Sequence, residues 1–187
     1  CSGCVVLPGG VESHSHLDLE AGDLVTADDF GTGTRAALAG GTTTVVDFAT
    51  AFHGQSLATG FDRWRAKAEG RAVTDYAFHL AMTQWRDELA DEMAEVVSRG
   101  ATSVKLYMAH RDTMMVDDDQ ILAALTTSRR LDTTIGFHCE NGLLVDALVR
   151  AALASGHTTP RFHALTRPAE LEAEAVDRLE VTQEATG

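Results

Sequence analysis

Two histidines one residue apart, His14 and His16 in "GVESHSHLDL", follow the short apolar run "CVVLPGG". On a β-strand, residues i and i+2 point to the same face. The spacing therefore aims two imidazoles at one place, and Asp18 continues that face. Neutral imidazoles converging on a point suit a divalent cation. Further candidates stand at the ends of later apolar runs. "TSVKLYMAH" carries Lys105 inside the run and His110 just beyond it. "TTIGFHCEN" ends at His138 with Glu140 and Asn141 behind it, and "YAFHLAMT" carries His79. Taken singly, each has a plain reading. The H-x-H pair can sit exposed near a turn, and Lys105 can snorkel or pair with a carboxylate. His138 can be a hydrogen-bonded core histidine, and His79 is read as one.

Taken together, the set asks why a lysine belongs beside three imidazoles. A protonated amine repels a cation. Burial depresses a lysine pKa and exposes the neutral amine, which can add carbon dioxide to become a carbamate with two carboxylate-like oxygens. Such a group can bridge two metal ions about 3.5–4 Å apart.

These residues need a scaffold that presents strand ends side by side. Strands are expected at Val11–His16, Thr43–Phe48, Asp75–Thr83, Thr102–Met108 and Thr133–His138, several of them near-continuous apolar runs as in strands buried on both faces. Helical patterns lie between them. Thr26 with Asp29 reads as a capping box ahead of Phe30, Thr34, Ala37 and Leu38, with "GG" at 40–41 as the stop. A second helix holds Phe61, Trp64 and Ala68. A third places Trp85, Leu89, Met93, Val96 and Val97 on one stripe and ends at Gly100. The fourth opens at "DDDQ" (117–120), and the fifth runs from about Leu143 to Ala154. "TRPAELEAEAVDRLEVTQEA" reads as a sixth, with Pro168 near its first turn. Alternating strands and helices predict a parallel α/β sheet, either doubly wound or part of a (β/α)8 barrel. In both, sites form at the C-terminal ends of the strands. A complete barrel needs about 250 residues, so 187 residues predict an incomplete one. No phosphate-binding glycine motif follows a strand, and "AGGTTTV" precedes one, which weighs against a nucleotide-binding domain.

Composition narrows the partners. The chain has 28 acidic and 15 basic residues and a net charge of -13, which argues against nucleic acid and anionic membranes as partners. No apolar stretch reaches the ~20 residues of a membrane helix, and "CSGCVVLPGG" lacks the pattern of a secretory signal. The three cysteines, Cys1, Cys4 and Cys139, fit a reducing compartment, and a cytoplasmic location is expected. Cys1-x-x-Cys4 has no second pair to complete a zinc knuckle and reads as two incidental thiols. The chain begins without methionine, in what reads as mid-strand, and is expected to be part of a longer product.

The segments "LPGGVESHSHLDL", "TADDFGTGTRAALAGGTTTVVDF", "DYAFHLAMTQW", "TSVKLYMA", "FHCENGLLVDAL" and "FHALTRPAELEAEA" resemble, in order, the cyclic amidohydrolases of the dihydropyrimidinase and hydantoinase branch. The resemblance implies the first five βα units of a TIM-type (β/α)8 barrel, residues 1–187 being a partial hydrolase barrel domain without the small β-sandwich and later strands. It implies that His14 and His16 bind the more buried of two divalent ions, usually zinc. It makes Lys105 the carboxylated lysine bridging both metals and His138 a ligand of the second. It implies a metal-activated hydroxide that opens a hydantoin or dihydropyrimidine ring, in a parent enzyme that is a homotetramer. A further metal-binding histidine and a catalytic aspartate are expected beyond Gly187, so the isolated chain is expected to be inactive, with open strand edges that favour self-association. Five residues after the bridging lysine the family has a tyrosine that stabilises the oxyanion. Here that place is His110, whose imidazole can donate instead, which favours a hydantoinase-like over a dihydropyrimidinase reading. The alternative within the resemblance is a non-catalytic dihydropyrimidinase-related scaffold. The presence of His14, His16, Lys105 and His138 weighs against it.

Overall fold

The run "TTTVVDFATA" becomes the longest strand of the computed structural model, which describes residues 2–101 and 103–186. Cys1 of the cysteine pair and Thr102, the expected first residue of the fourth strand, lie outside the described residues. In chain order the elements begin with β1 (Gly10–Ser15), β2 (Glu20–Ala21), β3 (Leu24–Val25), α1 (Phe30–Ala39) and β4 (Thr42–Ala51). Then come α2 (Leu57–Ala68), β5 (Asp75–Met82), α3 (Leu89–Ser98), β6 (Ser103–Tyr107) and α4 (Asp118–Arg130). The chain closes with β7 (Thr134–His138), α5 (Gly142–Ala154), α6 (Arg161–Leu165) and α7 (Ala169–Thr186).

The five long strands form one parallel sheet in the order β1-β4-β5-β6-β7, with β1 and β7 as its edges. This is the curled, incomplete barrel wall that the family resemblance implies, one of the two parallel arrangements the alternation of elements left open. The expected strands fall within a residue or two of the observed ones, except that β4 continues through Ala51. In β6 the pleat sorts the residues: Val104 and Leu106 are buried, while Ser103, Lys105 and Tyr107 are half-buried on the other face. The buried face meets the helices. Phe30, Trp64, Phe78, Leu80, Met82, Leu89, Met93 and Leu106 belong to one apolar cluster between sheet and helices. Their burial supplies the main stabilisation, about 25 cal/mol per Å² of apolar surface removed from water.

Local signals set the helix starts. Ser56 caps α2 by accepting the Thr59 N–H, and Leu57, Phe61, Trp64 and Ala68 then fall on the stripe buried against the sheet. A Cβ on Gly60 would come within 2.9 Å of the Ala51 backbone, so glycine is what lets α2 lie directly on β4. Asp117 caps α4 in a reciprocal box with Gln120.

Three expectations are corrected. The cap of α1 is Asp29 with Thr32 as its box partner; Thr26 follows β3 and accepts the Leu19 N–H. Trp85 stands ahead of α3, held in the core by the turn at 86–89. The ribbon β2–β3 and the five-residue α6 were not expected, being too short to carry a periodic pattern. Several apolar side chains stay exposed along the β7 side, among them Leu143, Leu153, Leu165 and Val181. No helix among the described residues is long and apolar enough to cross a membrane.

Candidate active site

The first strand does not run straight into its histidines. Glu12 pairs with Val45 and Ser15 with Asp47, three steps on β1 against two on β4, so β1 bulges between them. Bulges re-aim side chains and recur beside sites. His14 lies within the bulge and His16 one residue past the strand. Their rings are 5.2 Å apart at 83°, and both rest on Phe48, at 4.5 and 4.9 Å. The expected convergence of the two imidazoles is therefore present. Asp18 does not continue it. The chain turns there with φ 53, its carbonyl accepts from Lys67 Nζ at 2.5 Å, and its carboxylate pairs with Arg71 at 3.4 Å.

Behind the histidines lies a carboxylate that sequence reasoning passed over. Asp47 is 1% exposed. Its Oδ2 accepts from Ser15 Oγ at 2.9 Å and from the Leu17 N–H at 2.7 Å. Its Oδ1 accepts from its neighbour's Phe48 N–H at 2.7 Å and from Trp64 Nε1 at 3.2 Å. Burial pushes this carboxyl above its ordinary value, against the pull of the Leu17, Ser15 and Phe48 donors. His79 is the satisfied histidine expected: Nε2 contacts the Ser13 carbonyl at 2.9 Å and Nδ1 the Ser103 hydroxyl at 2.6 Å.

Lys105 stands in register with Ala81 on β5 and Gly136 on β7, small residues that leave space around its stem. Burial holds its amine below the ordinary lysine value, with Cys139 the one neighbour that raises it. Among the described residues no aspartate or glutamate contributes to the shift. The amine in turn helps lower His14, after burial and His16. Tyr107, two residues on and so on the same face, was not singled out in sequence although the i+2 rule marks it. Burial raises its phenol.

His138 closes β7. Its Nε2 contacts Glu140 Oε2 at 2.7 Å, and its ring lies 5.2 Å from that of His110, tilted by 35°. His110 adopts φ 65, and its carbonyl accepts the N–H groups of Thr113 and Met114 at 3.2 and 3.0 Å. This turn swings its imidazole back over the sheet. Burial, then the neighbouring His138, lowers the His110 pKa.

The five residues to which the family resemblance gives a role, His14, His16, Lys105, His110 and His138, line one cavity of about 710 Å³; Asp18, His79, Glu140 and Asn141 do not line it. Glu20, Ala21 and Gly22 of the β2–β3 ribbon form part of its rim, and Asp112, Thr113 and Met114 another. A second cavity, of about 690 Å³ between α4, β7 and α7, gathers no comparable donors. Among the described residues no three His, Cys, Asp or Glu side chains by themselves form a metal-holding group. The donors nonetheless fit a cation: imidazoles, which ligate in their neutral form, and an amine whose pKa burial lowers, which carbon dioxide can convert to an oxygen donor.

The model of the amidohydrolase family matches residues 5–182. A D-hydantoinase of Geobacillus stearothermophilus is 44% identical over 178 residues, and one of Streptomyces coelicolor is 48% identical over 177. Each match takes in 95% of this chain and 38% of the relative, so the chain spans well under half the length of these relatives. The crystal structure of dihydropyrimidinase from Brevibacillus agri NCHU1002 superposes with a TM-score of 0.93 at 42% identity, over 96% of this chain and 39% of the other. With sequence, parallel sheet and strand-end cavity in agreement, the chain belongs to the amidohydrolase family and corresponds to the N-terminal part of its barrel.

Proposed function

We propose that the protein opens the ring of a cyclic amide, a hydantoin or a dihydropyrimidine, at a binuclear metal site to which this chain supplies His14, His16, Lys105 and His138. The observation that carries the reading is the convergence of these four side chains on one cavity, with a half-buried lysine that no carboxylate neutralises. The names of the relatives, D-hydantoinase and dihydropyrimidinase, support the substrate class.

His14 and His16 would hold one divalent ion and His138 the other, and Lys105, as a carbamate, would supply oxygen donors to them. The carbamate forms when the neutral Nζ attacks carbon dioxide and releases one proton, which the depressed amine pKa favours. A metal bound there would supply a water of lowered pKa and a Lewis acid for the amide carbonyl. The protein's own part is to place and complement the substrate. His110, neutral by virtue of its burial, donates one N–H to the carbonyl oxygen as negative charge gathers there. The Tyr107 hydroxyl, kept protonated by burial, stands on the same cavity wall as a second donor. The β2–β3 ribbon and the turn at 112–114 wall the ring off from water.

The test is metal content. The purified chain, loaded with zinc in bicarbonate buffer and desalted, is analysed by elemental analysis beside Lys105→Ala and His16→Ala. Zinc held by the wild type and lost from both variants supports the reading; equal zinc in all three overturns it. A 13C carbamate signal after 13C-bicarbonate loading, absent from Lys105→Ala, reports the bridging group directly.

A further inference from the structure

We propose that Asp47 and His79 are positioning residues that set the directions of the His14 and His16 imidazoles by gripping the residues beside them, Ser13, Ser15 and Leu17. The grip itself stands on geometry alone; its consequence for cation binding rests on the metal-site reading above.

The bulge between Glu12 and Ser15 takes Ser13 and His14 out of the regular ladder with β4. Freed backbone polar groups need partners: the His14 N–H finds Glu12 Oε1 of its own strand at 2.8 Å, and side chains of other strands hold the residues on either side of it. The Ser13 carbonyl, which can only accept, receives the His79 Nε2–H at 2.9 Å. That fixes the His79 tautomer in the neutral ring, leaving Nδ1 to accept from the Ser103 hydroxyl at 2.6 Å. Asp47 takes Ser15 through its hydroxyl and Leu17 through its N–H, and is itself anchored by Trp64 from α2. Residues 13, 15 and 17 are thus held from the sheet, while 14 and 16 are left to face the cavity. Phe48 completes the arrangement. It follows Asp47 in β4 and lies 4.5, 4.9 and 4.9 Å from the rings of His14, His16 and His79. Each histidine of the pair is therefore fixed on both flanks, and the cost of ordering two otherwise exposed side chains is met before any cation arrives.

The experiment uses the metal-free chain with 15N-labelled histidines. In wild type, long-range 1H–15N spectra show His79 as the single Nε2–H tautomer, and His14 and His16 dispersed by the Phe48 ring. In Asp47→Asn and His79→Leu the His14 and His16 signals move toward free-histidine positions. His157, stacked on Phe162 at 4.2 Å away from the site, serves as the fold control and stays in place. His79→Gln, whose amide can still donate to the Ser13 carbonyl, keeps the wild-type pattern. Should Asp47→Asn fail to fold, Ser15→Ala removes one strut of the same grip and shifts the two signals by a smaller amount. Unmoved His14 and His16 signals in the folded variants overturn the proposal. Zinc titration of the same samples separates the two readings. Loss of about tenfold or more in affinity in Asp47→Asn and His79→Leu joins the grip to the metal site, as the partners of ligating residues commonly do. Signals that move in a wild-type background binding no zinc overturn the metal site and leave the grip standing.

Discussion

Lys105 Nζ lies 5.5 Å from the centre of the Tyr107 ring, an amine beside an aromatic wall in place of the carboxylate that a half-buried lysine ordinarily finds. The folded pKa of Lys105 is depressed, chiefly by burial, so between that value and the unfolded 10.5 the unfolded chain binds the extra proton. Stability contributed by this group therefore rises with pH across the window, and the cost of charging the amine is fully present below it. Lys105→Met, studied without metal or bicarbonate, is expected to be more stable than wild type at neutral pH. The gap should close as pH approaches 10.5. Urea unfolding midpoints at pH 7, 9 and 10.5 check it, and a gap that is constant with pH contradicts the depressed amine.

Much of this arrangement was legible in the sequence because it depends on period and register. The i+2 spacing of His14 and His16, the apolar run around Lys105 and the run ending at His138 each name a strand end, and parallel strands gather their ends together. What remained hidden depends on the third dimension. The bulge in β1 has no sequence mark, since neither glycine nor proline stands at 12–15. Asp47 sits mid-strand in an apolar run, where a carboxylate looks out of place until its four donors from β1, the residues just after it, β4 and α2 are seen. Asp18 was misplaced by extending a strand period past the residue where the chain turns. The two-residue strands β2 and β3 are too short to show any period, yet β2 and the turn after it form part of the cavity rim.

Helix starts that the sequence does mark should cost what their caps are worth. Asp117 accepts the Gln120 N–H at 2.9 Å while the Gln120 side chain accepts the Asp117 N–H at 3.0 Å. Asp117→Ala removes the first bond, weakens the second and takes a negative charge from the positive end of α4. The expected loss is about 0.5–2 kcal/mol, read as a lower urea midpoint with an unchanged slope. A loss under a few tenths would mean that Asp118 or Asp119 replaces the cap.

At Gly142 the constraint is space beside the site. A Cβ there would come within 2.8 Å of the Ala109 Cα and the Met108 carbonyl oxygen and 2.7 Å of the Met115 sulfur. The methionine can swing away, but the backbone of 108–109 leads directly into His110. Gly142→Ala is expected to destabilise by about 1–3 kcal/mol through overpacking, despite the better helix propensity of alanine. It should also displace the His110 ring from His138, seen as shifts of both imidazoles in histidine-labelled spectra. Stabilisation with unmoved imidazoles would mean that α5 slides to make room.

The contact between Trp64 and Asp47 ties the helical layer to the histidine pair, and a double-mutant cycle can measure the tie. Trp64 is fully buried, and its indole N–H ends on Asp47 Oδ1 at 3.2 Å. Trp64→Phe alone gives up that bond and some volume. Asp47→Asn alone is worse placed, because every orientation of the amide turns its NH2 group toward donors. With its oxygen kept on Ser15 and Leu17, that NH2 faces the Phe48 N–H and the Trp64 indole. In the Trp64→Phe background one of those opposed donors is gone, so the asparagine costs less. The double variant is expected to be more stable than the sum of the single losses by about 0.5–3 kcal/mol, the range for residues in one hydrogen-bonded network. Urea unfolding of the four proteins provides the cycle. Additivity within about 0.5 kcal/mol would show that α2 packs on β4 without bracing the carboxylate that holds β1.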